Sequence, residues 1–279
     1  MARGLTTSTT QHLLVGALAL TLALPLTQVA APTEANAVDP APSRVAGPVG
    51  EPLKPNLRAI RARDLYISRD GGKRKLRFEA GIANIGAGPV EVRPNQRRDC
   101  PEGKHHATQV MYRDTNGNGR YNPRIETDVA RRSAGCMVFH QYHDHWHFEA
   151  ASRYTLYKAK RREISKIAQR KMSFCLRDSR RVPTALGSYN YAERYGNCSR
   201  RSPQGISIGW VDVYPSYLAG QAITLPPRMG DGLYCLQITV DPRNQLVETD
   251  DRDNGSLRAF FMRGDQIHVK DSAKCRRAG

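Results

Sequence analysis

The sequence predicts an all-β fold, an antiparallel β-sandwich with long loops and little helix. Many short stretches alternate apolar and polar residues, and Gly, Asn and Pro interrupt them at short intervals. Helical periodicity is scarce and no internal repeat is visible. Strands that alternate in this way bury one face each, and two sheets of such strands pack into a sandwich.

The first 54 residues are predicted to precede the folded domain. A positive N-terminal region leads into the apolar run 13–26, which is short for a membrane span and is followed by small residues. This pattern predicts a signal peptide over residues 1–37 and a secreted protein. Residues 38–54 are rich in Pro, Gly and Ala and are expected to form a disordered lead-in. Residues 55–279 are then expected to form one folded domain.

Within that domain the alternating stretches predict strands, and two longer stretches do not alternate. An Asp-Gly-Gly turn predicts a hairpin in the first part of the domain. The basic stretch 158–170 is expected to be an exposed, partly helical excursion, and residues 179–209 are expected to be loops. The predicted strands are 64–68, 75–85, 89–94, 151–157, 222–225, 232–241 and 257–262.

Six cysteines follow the predicted signal peptide, and the absence of a C-x-x-C motif makes a zinc ribbon or a thioredoxin-like site improbable. An even number of cysteines in a secreted chain favours disulfides, here three with fifteen possible pairings. Pairing of sequence neighbours is the simplest expectation. The expected bridges are Cys100–Cys136, Cys175–Cys198 and Cys235–Cys275.

The chain is strongly basic, with 43 Lys and Arg against 26 Asp and Glu and a net charge of +17. Outside the cell this charge suits anionic cell-wall polymers, membrane surfaces or acidic substrates. The basic residues are dispersed and form no aromatic-interleaved stripe, so nucleic acid is not the predicted partner. The abundance of Ala and Arg is typical of a bacterium with a GC-rich genome.

The side chains most suited to a functional site lie in residues 140–147 (HQYHDHWH). This segment holds four of the eight histidines. On a strand His143, His145 and His147 would share one face, and three imidazoles on one face are suited to a transition metal. A straight strand would spread the outer two over roughly 13 Å, so a single metal ion requires a bend or bulge.

A second metal-like pattern, residues 114–122 (DTNGNGRYN), resembles the opening of a calcium loop. The closing acidic ligand is expected at the twelfth position, which is Ile125, and Glu126 comes one place late. The alternative is an Asn-Gly turn at the tip of a hairpin, and the pattern favours the turn.

Three motifs together resemble the catalytic domain of lysyl oxidase. Animal enzymes of that family carry H-x-x-H-x-H-x-H, then K-A-S-F-C-L-E-D, then Q-G-L-S-x-G-x-x-D-x-Y. This chain has residues 140–147, then 171–178 (KMSFCLRD), then 204–214 (QGISIGWVDVY), in that order. The resemblance extends from about Pro55 to about Asn254. Tyr142 stands where the animal enzymes have a cysteine.

The resemblance implies a copper amine oxidase. Copper would be held by His143, His145 and His147, with His140 hydrogen-bonding beside the metal rather than ligating it. Lys171 and Tyr214 would be joined into lysine tyrosylquinone, the organic cofactor of the family. A primary amine or a lysine-containing peptide would be oxidised by molecular oxygen to an aldehyde, releasing ammonia and hydrogen peroxide.

Two further groups of residues follow from the same resemblance. Asp212 is the candidate base for the substrate proton, although a turn-forming role is as compatible with its position. Residues 247–254 (VETDDRDN) resemble the V-P-E-S-D-Y-T-N-N segment that binds calcium in the family. The implied calcium ligands are Asn56, Leu57, Glu248, Asp250, Asp253 and Asn254, with Asn56 in place of the family's aspartate.

Two other functions compete with the amine oxidase. A zinc hydrolase with H-x-H-x-D-H would need Asp at 147 and His at 148, where the chain has His147 and Phe148. A secreted copper-binding protein without catalysis is the stronger alternative, because it needs only the histidines.

Overall fold

The computed structural model describes residues 49–96, 99–160 and 163–276, without the side chains of residues 160, 163, 164 and 276. The predicted signal peptide lies outside the described residues, as does most of the expected lead-in. The strands are β1 (Leu57–Asp70), β2 (Lys73–Asn84), β3 (Val90–Asn95), β4 (Lys104–Tyr112), β5 (Val129–His140), β6 (His145–Lys160), β7 (Glu163–Phe174), β8 (Arg180–Arg181), β9 (Gln204–Ile206), β10 (Trp210–Tyr214), β11 (Ala222–Thr224), β12 (Gly232–Val240), β13 (Gly255–Arg263) and β14 (Gln266–Lys270). One short helix, α1 (Ala273–Arg276), follows β14.

These strands form two sheets in which the registered pairs are antiparallel. The first sheet has the order β1-β2-β10-β8, and β11 also pairs with β2. The second has the order β14-β13-β12-β6-β5-β4-β3-β9, and β7 also pairs with β6. The first hairpin, β1–β2, turns at Gly71 and Gly72, whose φ values of 56° and 73° favour glycine.

The two sheets share one apolar core, which confirms the predicted sandwich. Leu76 and Phe78 of β2 are fully buried, as are Tyr154 and Leu156 of β6. The ring of Phe78 meets the ring of Tyr154 edge-on, with 4.9 Å between centroids. Because Phe78 belongs to one sheet and Tyr154 to the other, this contact lies at the interface that holds the sheets together.

The expectation of a partly helical excursion over residues 158–170 is wrong. The described residues of this stretch belong to β6 and β7, which pair with each other through Lys158 opposite Ser165. Ile167 and Ala168 pack against the core. Hairpin pairing between β6 and β7, together with the pairing of β6 to β12, therefore outweighs the helical propensity of the Lys, Arg, Glu and Ala in this stretch. The sequence also gave no indication of β14 or α1.

All three expected disulfides are present, between Cys100 and Cys136, Cys175 and Cys198, and Cys235 and Cys275. The last one fastens α1 to β12 in a small buried cluster. Bridges that close loops of 23 to 40 residues restrict the unfolded chain and stabilise the fold by about 2–4 kcal/mol each.

The end of the expected lead-in lies along β4. The amide of Gly50 donates to the carbonyl of Asp114 at 2.7 Å, and the amide of Leu53 donates to that of Tyr112 at 2.8 Å. Leu53 is buried in a small cluster with Tyr112. In the ranges described, no helix combines the length and apolar character needed to cross a bilayer.

We predict that Phe78→Ala lowers the free energy of unfolding by about 3–5 kcal/mol, because it opens a cavity between the sheets. Urea denaturation followed by tryptophan fluorescence measures this. Phe261→Ala is the matched control, since Phe261 is 37% exposed and should cost much less. Equal losses for the two variants would contradict the placement of Phe78 in the core.

Candidate metal centre and adjoining cleft

The histidine segment forms the turn of the β5–β6 hairpin. His140 ends β5 and lies directly opposite His145, which begins β6. Residues 141–143 make a single 3₁₀ turn, and Asp144 has a left-handed backbone with φ of 50°. The sequence pattern alone suggested that His143 lies on a strand, but it lies in the turn. This turn is the bend that a single metal ion requires.

The bend brings the three expected ligands together. The Nε2 atoms of His145 and His147 are 3.0 Å apart, and one ring nitrogen from each of His143, His145 and His147 lies within 4.8 Å of the others. His143 is exposed and the other two are half-buried. His140 stacks on His143 with 4.0 Å between ring centroids, and its buried Nδ1 has no hydrogen-bond partner among the described residues.

Burial and the neighbouring histidines favour the neutral form of His145 and His147. Burial, followed by the neighbouring histidines, lowers the pKa of His147 to about 4. Burial also lowers the pKa of His145. A neutral imidazole has a free lone pair, which is the form that binds a metal ion.

The donor set fits a first-row transition metal. Two imidazole nitrogens at roughly 2.0–2.1 Å from one ion, at angles between about 90° and 109°, are about 2.9–3.3 Å apart. The 3.0 Å between His145 and His147 falls in that range. A hydrogen bond between the rings of His145 and His147 would have a similar length, but it would not involve the ring of His143.

Tyr214, at the end of β10, faces the same cleft from the other sheet. Its ring stacks on Phe174 with 3.6 Å between centroids, and its hydroxyl donates to the carbonyl of Cys175 at 2.7 Å. The Cys175–Cys198 sulfurs lie within 4.8 Å of a ring nitrogen of His145. The disulfide therefore lies between the histidines and Tyr214, and oxidation prevents its sulfurs from acting as thiolate ligands. The cleft measures about 650 Å³.

Asp212 lies two residues before Tyr214 and also lines the cleft. It is 1% exposed, and neither carboxylate oxygen has a hydrogen-bond partner among the described residues. Burial raises the pKa of Asp212 well above its usual range. Burial and the neighbouring Asp212 carboxylate together raise the pKa of Tyr214. A buried carboxyl group without partners is a candidate for proton transfer.

Lys171 is not placed at Tyr214. It is exposed on β7 opposite Arg153, and it does not line the cleft, whereas Met172 and Phe174 do. Since successive side chains of a strand point to opposite faces, Lys171 points away from the face that Phe174 presents to Tyr214. The structure thus brings the histidines, Asp212 and Tyr214 to one cleft and leaves Lys171 outside it.

The family model for lysyl oxidase matches residues 124–272, more than half of the chain. Lysyl oxidase homolog 4 from Bos taurus and from Mus musculus are each 30% identical over 118 residues. Those residues are 42% of this chain and 14% of either relative, so the alignment spans about a seventh of their length. The chain belongs to the lysyl oxidase family.

Two residues that build the cleft were not identified as contributors from the sequence. Phe174 lies within a motif but showed no sign of stacking on Tyr214. Gln221 is 1% exposed, and its amide nitrogen donates to the carbonyl of Phe78 and the hydroxyl of Tyr154, both at 3.2 Å. No pattern in the sequence identifies Gln221, because it comes from a loop that only the sandwich brings to β6.

The residues implied as calcium ligands by the lysyl oxidase resemblance join the start of β1 to a late loop. The amide of Leu57 donates to Glu248 Oε2 at 2.7 Å, and the side-chain amide of Asn254 donates to Glu248 Oε1 at 2.6 Å. Asn56 donates to Asp253 at 3.2 Å. The side chain of Asp250 instead accepts hydrogen bonds from Arg252. The buried atoms without a hydrogen-bond partner here are Oδ1 of Asn56, Asp253 and Asn254.

We predict that metal-free protein loses stability with rising pH through Asp212. Its folded-state pKa lies above the unfolded value near 4, so the folded state holds the extra proton over this interval. Between those two pKa values, stability should fall by up to about 1.4 kcal/mol per pH unit relative to Asp212→Asn. Urea denaturation from pH 4 to 8 measures the difference. Glu102→Gln, an exposed acid, should show no such trend, and a flat difference for Asp212→Asn would contradict the raised pKa.

Proposed function

We propose that the protein is a secreted copper-dependent amine oxidase. Its reaction converts a primary amine, water and oxygen to an aldehyde, ammonia and hydrogen peroxide, and peptidyl-lysine is one substrate class. The observation that supports this most directly is the convergence of three histidine nitrogens and Tyr214 on one cleft. Copper would be held by His143, His145 and His147, whose imidazole nitrogens suit it.

The residues of the chain have separable roles in this cleft. Phe174 and the carbonyl of Cys175 fix the plane and the hydroxyl of Tyr214. Once its carboxyl group has lost its proton, Asp212 would receive the proton that leaves the substrate carbon, because a raised pKa makes the carboxylate a stronger base than an ordinary one. His140 supports the copper ligands by stacking on His143. A quinone made from Tyr214 and Lys171 would supply the electrophilic carbonyl for amine oxidation.

The arrangement of Lys171 does not fit a completed cross-link. Its exposed position on β7 requires the end of that strand to rearrange before Lys171 reaches Tyr214. This observation also favours the second candidate, a secreted copper-binding protein without catalysis, which needs the histidines but not Lys171. The two candidates differ in whether Lys171 and Tyr214 become joined.

We further propose a calcium ion bound by residues from both ends of the domain. The unpartnered oxygens of Asn56, Asp253 and Asn254 support this, together with Glu248. Burial raises the pKa of Glu248 to about 8, a desolvation cost that a cation would offset. The backbone of Leu57 would complete the set. Asp250 would have to release Arg252 to join it.

The net charge of +17 suggests that anionic cell-wall polymers hold the enzyme near its substrates. A free primary amine and lysine in an extracellular peptide are both compatible with the cleft. The bacterial origin and the signal peptide stay predictions from sequence.

We predict that His145→Ala weakens copper binding by more than about 100-fold, since loss of a supporting residue alone costs roughly 10- to 100-fold. Copper per chain after dialysis, measured by plasma mass spectrometry, should fall from one to near zero. His105→Ala is the matched control, because its ring packs on Trp146 outside the cluster. Equal copper content in the two variants would rule out the histidine site.

We predict that copper-loaded protein exposed to air joins Lys171 to Tyr214. Peptide mass mapping should find one cross-linked species, and the protein should gain a visible absorbance band that phenylhydrazine shifts. Tyr214→Phe should lose both signals. Tyr217→Phe should keep them, because Tyr217 is a neighbouring but 74% exposed tyrosine. If the Lys171 and Tyr214 peptides stay separate while copper is bound, the protein is the non-catalytic copper binder.

A further inference from the structure

The connection between β4 and β5 carries the calcium-like pattern that the proposed copper chemistry does not use. It runs from residue 113 to residue 128 and is a long loop within a hairpin rather than a tight Asn-Gly turn. Asp114 begins it, and Oδ1 and Oδ2 of this side chain accept the amides of Asn118 and Gly119 at 3.1 and 2.8 Å. Asn116 and Asn118 lie between Asp114 and Gly119 in sequence and supply exposed side-chain oxygens. Most of this loop precedes the part of the chain that the family model matches.

The last acidic residue of the loop is buried with an unused oxygen. Glu126 is 0% exposed, and its Oε2 accepts the amide of Asn122 at 2.6 Å, which places the carboxylate inside the loop. Its Oε1 is buried and has no hydrogen-bond partner among the described residues. An unsatisfied buried carboxylate oxygen is costly unless a cation or donor meets it.

No ion pair among the described residues involves Asp114 or Glu126, although Asp114 is only 2% exposed. Elsewhere the chain pairs a buried carboxylate fully. Glu91, also 0% exposed, bonds Arg93 at 2.7 Å and the hydroxyls of Tyr112 and Tyr195 at 2.8 and 2.7 Å. Two buried carboxylates in one loop, neither of them in an ion pair among the described residues, therefore stand out, and the ligand they lack is a cation.

The late position of Glu126 is explained by the backbone. The amides of Ile125 and Glu126 both donate to the carbonyl of Asn122, at 3.0 and 2.9 Å. This extra turn shortens the path of the chain. Glu126 therefore reaches the closing position that the twelfth residue of a calcium loop ordinarily occupies. Gly119, with φ of 68°, occupies the sixth position, where a calcium loop requires a sharp turn.

We infer that the loop from Asp114 to Glu126 is a calcium site. Its ligands are the carboxylates of Asp114 and Glu126, the side-chain oxygens of Asn116 and Asn118, and the carbonyl of Arg120 at the seventh position. All are hard oxygen donors, which suit calcium rather than copper or zinc. The ion offsets the charge of the two buried carboxylates and fixes the loop against β4. The site is independent of the histidine cluster.

The site also bears on the neighbouring surface. Tyr121, inside the loop, packs its ring on Tyr112 with 4.9 Å between centroids, and its hydroxyl accepts from Arg194 at 2.6 Å. The carbonyl of Asp114 accepts the amide of Gly50. Calcium therefore orders one wall of the cleft lined by Tyr121 and Arg194, together with the segment that precedes β1.

Calcium titration of the full chain tests the site. Glu248→Gln first weakens the other proposed calcium site, so that the remaining binding reports the loop. In this background calorimetry should find one calcium ion, and calcium at 100 times its dissociation constant should raise the melting temperature by roughly 5–10 °C. Adding Glu126→Gln should weaken binding by about tenfold or more, since ligand charge tunes calcium affinity. Adding Asp128→Asn, which removes an exposed acid of the same connection, should not.

Hydrogen exchange gives a second measurement. In the unmutated protein, no folding defect caused by a substitution can obscure it. Calcium should slow exchange in peptides covering residues 114–126, and Asn118→Ala should reduce that protection. Unchanged exchange in these peptides, or calcium binding by Glu126→Gln as tight as by its background, would overturn the site. An equal response to magnesium would overturn its assignment to calcium. Loss of the copper site through His145→Ala should leave every one of these calcium responses in place.

Discussion

The contact between Tyr214 and the segment at the end of β7 is the interaction on which the candidate site depends. Tyr214 ends a strand of one sheet, whereas Phe174 and Cys175 follow from a strand of the other. Ring stacking at 3.6 Å and a hydrogen bond at 2.7 Å join them. The Cys175–Cys198 bridge extends this contact to His145. Tyr214 and the three histidines can line one cleft only because the sandwich closes here.

Local pattern was enough to predict much of the fold, because alternation and turn residues act over short distances. The Asp-Gly-Gly hairpin and the closing strands are where the sequence places them. The error at residues 158–170 has the opposite cause. Lys, Arg, Glu and Ala favour a helix locally, but the stretch belongs to the β6–β7 hairpin. Strand β6 also pairs with β12, which lies far away in sequence, and a local pattern cannot report that pairing. The same limit hid Gln221, whose partners Phe78 and Tyr154 lie 143 and 67 residues distant.

The candidate site shows a similar division. Spacing alone identified the three histidines, and the requirement for a bend follows from strand geometry, yet that bend is a hairpin turn that moves His143 off the strand. Lys171 marks where motif spacing stops being informative. Burying a lysine beside Tyr214 would remove water from its charged amine, and this desolvation has a large free-energy cost. An exposed lysine on β7 avoids that cost, and spacing along the chain cannot report which of the two arrangements the folded protein adopts.

The buried carboxylates divide into two groups, and the division follows the proposed chemistry. Glu91 is neutralised by arginine and tyrosine, and Asp178 accepts backbone amides from three residues. Asp212 and Glu126 each retain a buried oxygen that has no hydrogen-bond partner among the described residues. Glu248 accepts only from amides, and it lies beside the unpartnered Oδ1 of Asn254. The first group stabilises the sandwich by itself. The second group is stable only if a proton or a metal ion supplies the missing positive charge, so each of its members lies where the protein is expected to bind one.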